Sequence, residues 1–366
     1  MVPAPPPDLV VLALRQPEVL PTLAPWQWDL LVRQARSGDL LARVADRLGR
    51  LGLASAVPPA PAAHLAAALQ VAAAQQIEVQ REITHVQSAL RAEAGPLVLL
   101  KGAAYLAAGL PPAAGRIFSD TDILVPRERL GAVEQALLLR GWGATHHTAY
   151  DQRYYRDWMH ELPPMVHLRR QTALDVHHAI APLTARIHVD SARLLAAMQP
   201  VAGRAGLATL APPDMVLHSM LHLLGNDDLS HALRDLSDLD LLLRHFGADA
   251  GFGPAIVERA RELGLGRVLH YGLRFVARVL GTPLPPPMLE ACAAWAPRAP
   301  TALLMDALWQ RALLSPHHSL IGGANRVALF MLYVRAHWLR MPAPLLLRHL
   351  AVKAWQRGRE PAPDRR

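Results

Sequence analysis

Thirty residues, His64 to Glu93, pass without a glycine or a proline and are rich in alanine, glutamine and leucine. A stretch of that composition predicts one long helix. Regions of different character flank it. Upstream, Pro25 to Leu53 carries apolar residues at helical spacing, with Trp28, Leu31 and Val32 followed by Leu40, Leu41, Val44 and Leu48. That is the pattern of short amphipathic helices, and the prolines at 58, 59 and 61 are expected to break the chain after them. Downstream the character changes at Pro96: Pro-Leu-Val-Leu-Leu-Lys-Gly is a short apolar run closed by a glycine, which reads as a buried strand entering a tight turn.

The residues after that turn alternate between the two periods. Ala103 to Ala108 suits a short helix and Ser119 to Val125 a second strand. Pro126 stands at a helix N1 position, and Arg127 to Arg140 continues with Leu130, Val133, Leu137 and Leu138 on one face until Gly141 ends it. Glu161 to Arg169 and Thr172 to Ile180 are two further strands joined at Arg170 and Gln171. From Pro212 the chain is helical again, near 213–225, 229–246, 252–280, 286–295, 300–314 and 325–356, with a turn at Pro283 to Pro287. The fold class expected is therefore α+β. A small mixed-sheet core (95–210) lies between a helical N-terminal region (1–94) and a large helical C-terminal region (211–356), with a disordered tail (357–366).

Composition narrows the function classes. At 366 residues the chain is long enough to bury a proper core. Its single cysteine, Cys292, cannot form an intramolecular bridge, and no Cys/His spacing suits a zinc finger, which points to a reducing, cytoplasmic setting. The N-terminus lacks the basic and apolar regions of a signal peptide, and the most apolar late stretch, Val327 to Leu339, is interrupted by Arg335 and His337. It falls short of the ~20 apolar residues that span a bilayer, so no membrane insertion is expected. The net charge of +8 is almost all arginine, Lys101 and Lys353 being the only lysines. A positive field favours phosphate-bearing partners such as nucleotides or RNA, although arginine-rich composition alone also produces a solvated basic surface.

The strongest chemical feature is Ser119-Asp120-Thr121-Asp122-Ile123-Leu124-Val125. Strand alternation sends Asp120 and Asp122 to one face, where two like charges are costly unless a cation sits between them; magnesium, a hard ion that prefers oxygen ligands and substrate phosphates, fits. Asp-x-Asp alone is common in turns. Here a strand ending in Lys101-Gly102 and a small helix precede it, which is a phosphate-binding arrangement. Phosphoryl transfer with two metals wants a third carboxylate, and Asp175, charged between apolar neighbours in Ala173-Leu174-Asp175-Val176-His177, is the best placed. His177 shares its strand face and would orient that carboxylate or touch phosphate.

Other constellations read as structure. His218 and His222 share a helix face but lie among Met215, Leu217, Met220 and Leu221, which suits packing better than zinc. Asp235, Asp238 and Asp240 beside Arg234 suit a salt-bridge face. Trp142, Tyr154, Tyr155 and Trp158, interleaved with Arg153 and Arg156, suit a rim or core more than a base-stacking platform.

Three segments together carry a resemblance: Val98-Leu-Leu-Lys-Gly-Ala, Arg116-Ile-Phe-Ser-Asp-Thr-Asp-Ile-Leu-Val, and Leu174-Asp-Val-His-His. They resemble an uncharacterised bacterial nucleotidyltransferase family of the DNA polymerase β-like superfamily. The similarity extends through His218 to Leu243 and Ile256 to Pro285, and so covers most of residues 25–290. It implies a nucleotidyltransferase sheet with Asp120 and Asp122 holding two magnesium ions and Asp175 completing the site. Lys101 and Gly102 would occupy the phosphate-binding turn, Arg116 would approach the same pocket, and Ser119 would order that loop. One departure is Ala103, where the wider superfamily usually has a glycine or a serine, so a hydroxyl for the triphosphate is missing.

The function expected is magnesium-dependent transfer of a nucleoside monophosphate from a nucleoside triphosphate to a hydroxyl. The acceptor is a small molecule, a peptide, a protein or RNA. Two other readings are a non-catalytic nucleotide-binding or scaffold protein of a biosynthetic complex and a toxin-like enzyme modifying tRNA.

Overall fold

The computed structural model describes residues 7–93, 95–145 and 148–357. The tail expected to be disordered lies, from residue 358, outside the described residues. Among the described residues no helix is long and apolar enough to cross a membrane.

Among the described residues three α-helices, Leu9–Arg15, Pro25–Ser37 and Leu41–Arg50, precede the long one, Pro59–Ala89. Its prolines open this helix rather than break the chain before it. Pro59 occupies the first turn, where an amide hydrogen has no intrahelical acceptor to lose.

Seven strands follow in one sheet: β1 (Leu97–Leu100), β2 (Thr121–Leu124), β3 (Trp142–Ala144), β4 (Met165–His167), β5 (Ala173–His177), β6 (Gln199–Pro200) and β7 (Leu207–Thr209), in the spatial order β3-β4-β5-β2-β1-β7-β6. The sheet is mixed. β2 runs antiparallel to β1 and parallel to β5, and β1 runs parallel to β7. Every residue of β1 and β2 is buried, as in a central strand covered on both faces. The strands are shorter than the apolar patterns suggest. Ser119 and Asp120 precede β2, and Glu161 makes only an isolated bridge to His177.

The C-terminal half is helical, as its periodicity predicts, but two long segments are each split. Gly264, at φ +67°, separates Phe252–Glu262 from Gly266–Leu280. Met341, extended at φ −139° ahead of Pro342, separates Gly323–Arg340 from Ala343–Arg357. The helices Pro212–Gly225 and Ala232–Phe246 pack on each other, and one apolar core runs from Leu9 and Trp28 through Leu97 to Leu100 to Met220, Phe275 and Trp309.

Candidate active site

The sheet register builds the site. Pairing of β1 with β2 sets Leu100 opposite Asp122, and the chain then turns at Lys101 with φ +45°. A non-glycine residue in that region costs about 1 kcal/mol. Here the turn is held by an ion pair to the buried Asp122, since Lys101 Nζ reaches Asp122 Oδ1 at 2.9 Å. The parallel pairing of β2 with β5 sets Asp122 opposite Asp175 and Leu124 opposite His177. His177 Nε2 lies 2.9 Å from the same Asp122 oxygen, and its Nδ1 lies 3.3 Å from Glu161 Oε2.

Three carboxyls in this small volume sit in three electrostatic conditions. Burial by itself would push Asp122 up, but the Lys101 charge and the His177 hydrogen bond hold it well below the usual carboxylate range. Asp175 is pushed up to about 7, by burial first and then by the charges of Asp122, Glu161 and Asp120, with His177 opposing. Asp120 is raised by burial and by Asp122, against Lys101 and a hydrogen bond from Ser119 Oγ at 3.0 Å. Burial disfavours the imidazolium of His177, yet the hydrogen bond to Asp122 and the Glu161 charge raise its pKa. His160, His218 and His222 are held neutral, chiefly by burial and next by the positive charge of His177 (at His160) or Lys101 (at His218 and His222). Negative charge therefore exceeds positive charge where Asp120, Asp122, Asp175 and Glu161 surround Lys101 and His177. Ligand atoms of Asp122, Asp175 and His177 lie within 4.8 Å of one another, as do those of His160, Glu161 and His177.

A cleft of about 820 Å³ opens on this cluster, with Lys101, Asp120, Asp175, His177 and Glu161 on the sheet side. The helix Pro212–Gly225 contributes His218 and His222, so these two histidines form cleft wall as well as helix packing. Tyr154 and Tyr155 also line it, from a wide helical turn at Tyr154–Trp158.

Not every residue expected near phosphate lies on the cleft wall, and the residues read as structural are structural. Arg116 is buried with Nε 3.4 Å from Asp238 Oδ2 and its guanidinium over the Phe118 ring, and it forms no part of the cleft wall. Gly102 is small because of that packing: a Cβ there would stand 3.1 Å from Arg116 Nε and 3.2 Å from Phe118. Trp142 belongs to the core, donating to Glu82 at 3.1 Å beneath Arg170. Asp238 pairs with Arg43 at 2.5 Å, a salt bridge between regions, while Asp240 holds Arg244 and Thr282. Sequence reasoning missed His160 and Glu161. No motif marks them; the bridge between Glu161 and β5, with the His160 carbonyl accepting from the amides of His178 and Ala179, brings them to His177.

Residues 24–281 match the family model described as uncharacterised nucleotidyltransferase. Among curated proteins, and likewise among solved structures, nothing matches the chain.

Proposed function

Because the chain belongs to the uncharacterised nucleotidyltransferase family, we propose that it moves a nucleoside monophosphate from a nucleoside triphosphate to an acceptor hydroxyl, with Asp120, Asp122 and Asp175 holding magnesium. The observation that carries this reading is the register of Asp122 with Asp175 on parallel strands, where one carboxyl is satisfied by cations and the other is driven up to about 7 by burial and by the neighbouring carboxylates. The carboxylates of Asp122 and Asp175 are the hard ligands magnesium prefers, and the local excess of negative charge is what a divalent cation relieves; the third ligand atom beside them is a nitrogen of His177, while Asp120 stands on the same cleft wall outside that group. When bound, the metal supplies charge neutralisation on the phosphates and acidifies the attacking hydroxyl.

The chain's own residues do the rest. Lys101 Nζ, between Asp122 and the cleft, offsets phosphate charge, and His177 fixes the orientation of Asp122. Asp175, opposite Asp122 in the register, would hold the metal on the side of the acceptor hydroxyl and so favour its deprotonation. The second reading, a metal-free nucleotide-binding scaffold, is favoured by one feature: Asp122 Oδ1 already accepts from both Lys101 and His177.

Incubation of the purified protein with magnesium and each α-labelled nucleoside triphosphate, with and without cellular RNA or a small-molecule extract, separates the two. Label transferred by the intact protein and not by Asp120→Asn supports the transferase. Equal labelling by that variant removes Asp120 from the site. Absence of transfer, with a nucleotide-dependent thermal shift that needs no metal, supports the scaffold.

A further inference from the structure

The family match ends at residue 281, yet the cleft continues: Trp295, Arg335, Leu339 and Arg340 of its wall come later in the chain. Among these, Arg335 on the helix Gly323–Arg340 is distinctive. It is half-buried, it donates from Nη1 to the Leu224 carbonyl at 2.8 Å, and it has no carboxylate within ion-pairing distance among the described residues. Other arginines nearby have a carboxylate partner. Arg340 pairs with Asp227 at 2.8 Å, and Arg274 and Arg278 share Asp306.

Arg267, exposed on the helix Gly266–Leu280, also lines the cleft, again with no carboxylate partner among the described residues. Tyr271 stands near both: burial raises its hydroxyl pKa, and the charges of Arg335 and Arg267 oppose that. A cation held half out of water without a counter-ion is unfavourable, and burial accordingly lowers the pKa of Arg335. The cleft is thus bipolar, with carboxylates and Lys101 at the sheet and uncompensated guanidinium groups at the helices. A triphosphate brought to the carboxylates by its magnesium, and to Lys101 by charge, leaves the second end for a second substrate. Two guanidinium forks match a phosphate dianion in charge and in hydrogen-bond geometry. A cleft of about 820 Å³ is also in the small-molecule range.

We propose that Arg335 and Arg267 form an anion subsite for the acceptor, a small molecule that carries a phosphate group as well as the hydroxyl that is modified. The proposal rests on this cleft being the transfer site. The competing source of the same chemistry is the terminal phosphate of the nucleotide itself.

The test is calorimetric titration of the full chain with inorganic phosphate and with each of the four α,β-methylene nucleoside triphosphates in magnesium, separately and together. The expected result is that phosphate binds with the analogue already in place. Arg335→Gln should weaken phosphate by about tenfold, the scale of one lost charge-assisted hydrogen bond, and leave the analogue within about twofold. Arg267→Gln, at an exposed position, should act in the same direction, and Arg335→Lys should retain part of the phosphate affinity; these two variants keep the test valid if Arg335→Gln fails to fold. Competition between phosphate and analogue, both weakened by Arg335→Gln, would assign the arginines to the triphosphate and overturn the proposal, as would absence of phosphate binding to the wild type. If no analogue binds but phosphate does, and Arg335→Gln loses it, the anion subsite stands and the nucleotidyl-transfer reading falls.

Discussion

Asp122 and Asp175 stand opposite each other in register on parallel strands, and their carboxyls are driven in opposite directions. Asp122 accepts from Lys101 and His177, both at 2.9 Å. Asp175 has no ion-pair partner among the described residues and feels the charges of Asp122, Glu161 and Asp120 across the site. Pairing and solvation being so unequal, one carboxyl is set up as a fixed anchor and the other as a group whose state depends on what enters the cleft.

Without metal, Asp175 makes stability fall as pH rises. Below the ordinary carboxyl value near 4 the group is protonated folded or unfolded. Between there and the folded value of about 7 the unfolded chain releases a proton that the fold keeps, so the loss grows with pH and is complete above 7. Allowing for the half-open cleft, the loss is on the order of 1–2 kcal/mol. In chelator, unfolding free energies of wild type and Asp175→Asn should diverge between pH 5 and 8, with the variant the more stable at pH 8. Asp122, held low, acts only in stronger acid, where its contribution is lost as pH falls. Magnesium should raise the wild-type midpoint more at pH 8 than at pH 5, because the ion needs the deprotonated carboxylate; equal shifts at both would remove Asp175 from the ligand set.

Lys101→Met should be destabilising by about 3 kcal/mol, since it leaves Asp122 buried with a single cationic partner. Asp122→Asn alone also breaks the pair. The double variant should recover about 1–3 kcal/mol relative to the sum of the singles, measured by urea unfolding. Additivity within about 0.5 kcal/mol would mean that the two side chains are not coupled in solution.

The sequence made the centre of this site legible and left its rim dark, for physical reasons. Lys101-Gly102 and Asp120-Thr121-Asp122 stand at the ends of apolar runs whose burial on both faces forces a strand, so β1, β2 and β5 follow from local pattern. Strands β3, β6 and β7 have two or three residues, too few for a period to register. Partner choice was illegible as well. Lys101 reads as a phosphate ligand, and the fold also gives it Asp122. Arg116 reads as a pocket residue, and the fold gives it Asp238 from a helix more than a hundred residues later. His160, Glu161 and Arg335 reach the cleft only through tertiary packing.

Gly102→Ala sets two effects against each other. Alanine gains about 0.5–1 kcal/mol over glycine within the helix Lys101–Ala107. The added Cβ meets Arg116 Nε at 3.1 Å and Phe118 at 3.2 Å, and Arg116 cannot swing away without leaving Asp238. Overpacking of this kind costs about 1–3 kcal/mol, so a net loss of roughly 1 kcal/mol is expected. Because the glycine faces Arg116 rather than the cleft, nucleotide affinity by titration should stay within about twofold. A loss of affinity without a loss of stability would put the backbone at Gly102 against phosphate after all.

Arg43 ties three parts of the chain together behind the site. Its Nη1 donates to Asp238 Oδ1 at 2.5 Å and to Ser237 Oγ at 2.6 Å, and its Nη2 donates to the Pro112 carbonyl. Both partners of the ion pair are 4% exposed, so Arg43→Ala strands a buried carboxylate whose remaining cation, Arg116, is 3.4 Å away. Breaking a buried pair from one side costs about 3–5 kcal/mol, and the nearness of Arg116 argues for the lower end. Adding Asp238→Asn to Arg43→Ala should destabilise further, since Arg116, whose ion pair is with Asp238, is then left as a buried cation without its carboxylate. Chemical denaturation of the two variants beside the wild type reads this directly. If Arg43→Ala loses under about 1 kcal/mol, water reaches Asp238, and the pair is a surface contact rather than the buried tie that its exposure indicates.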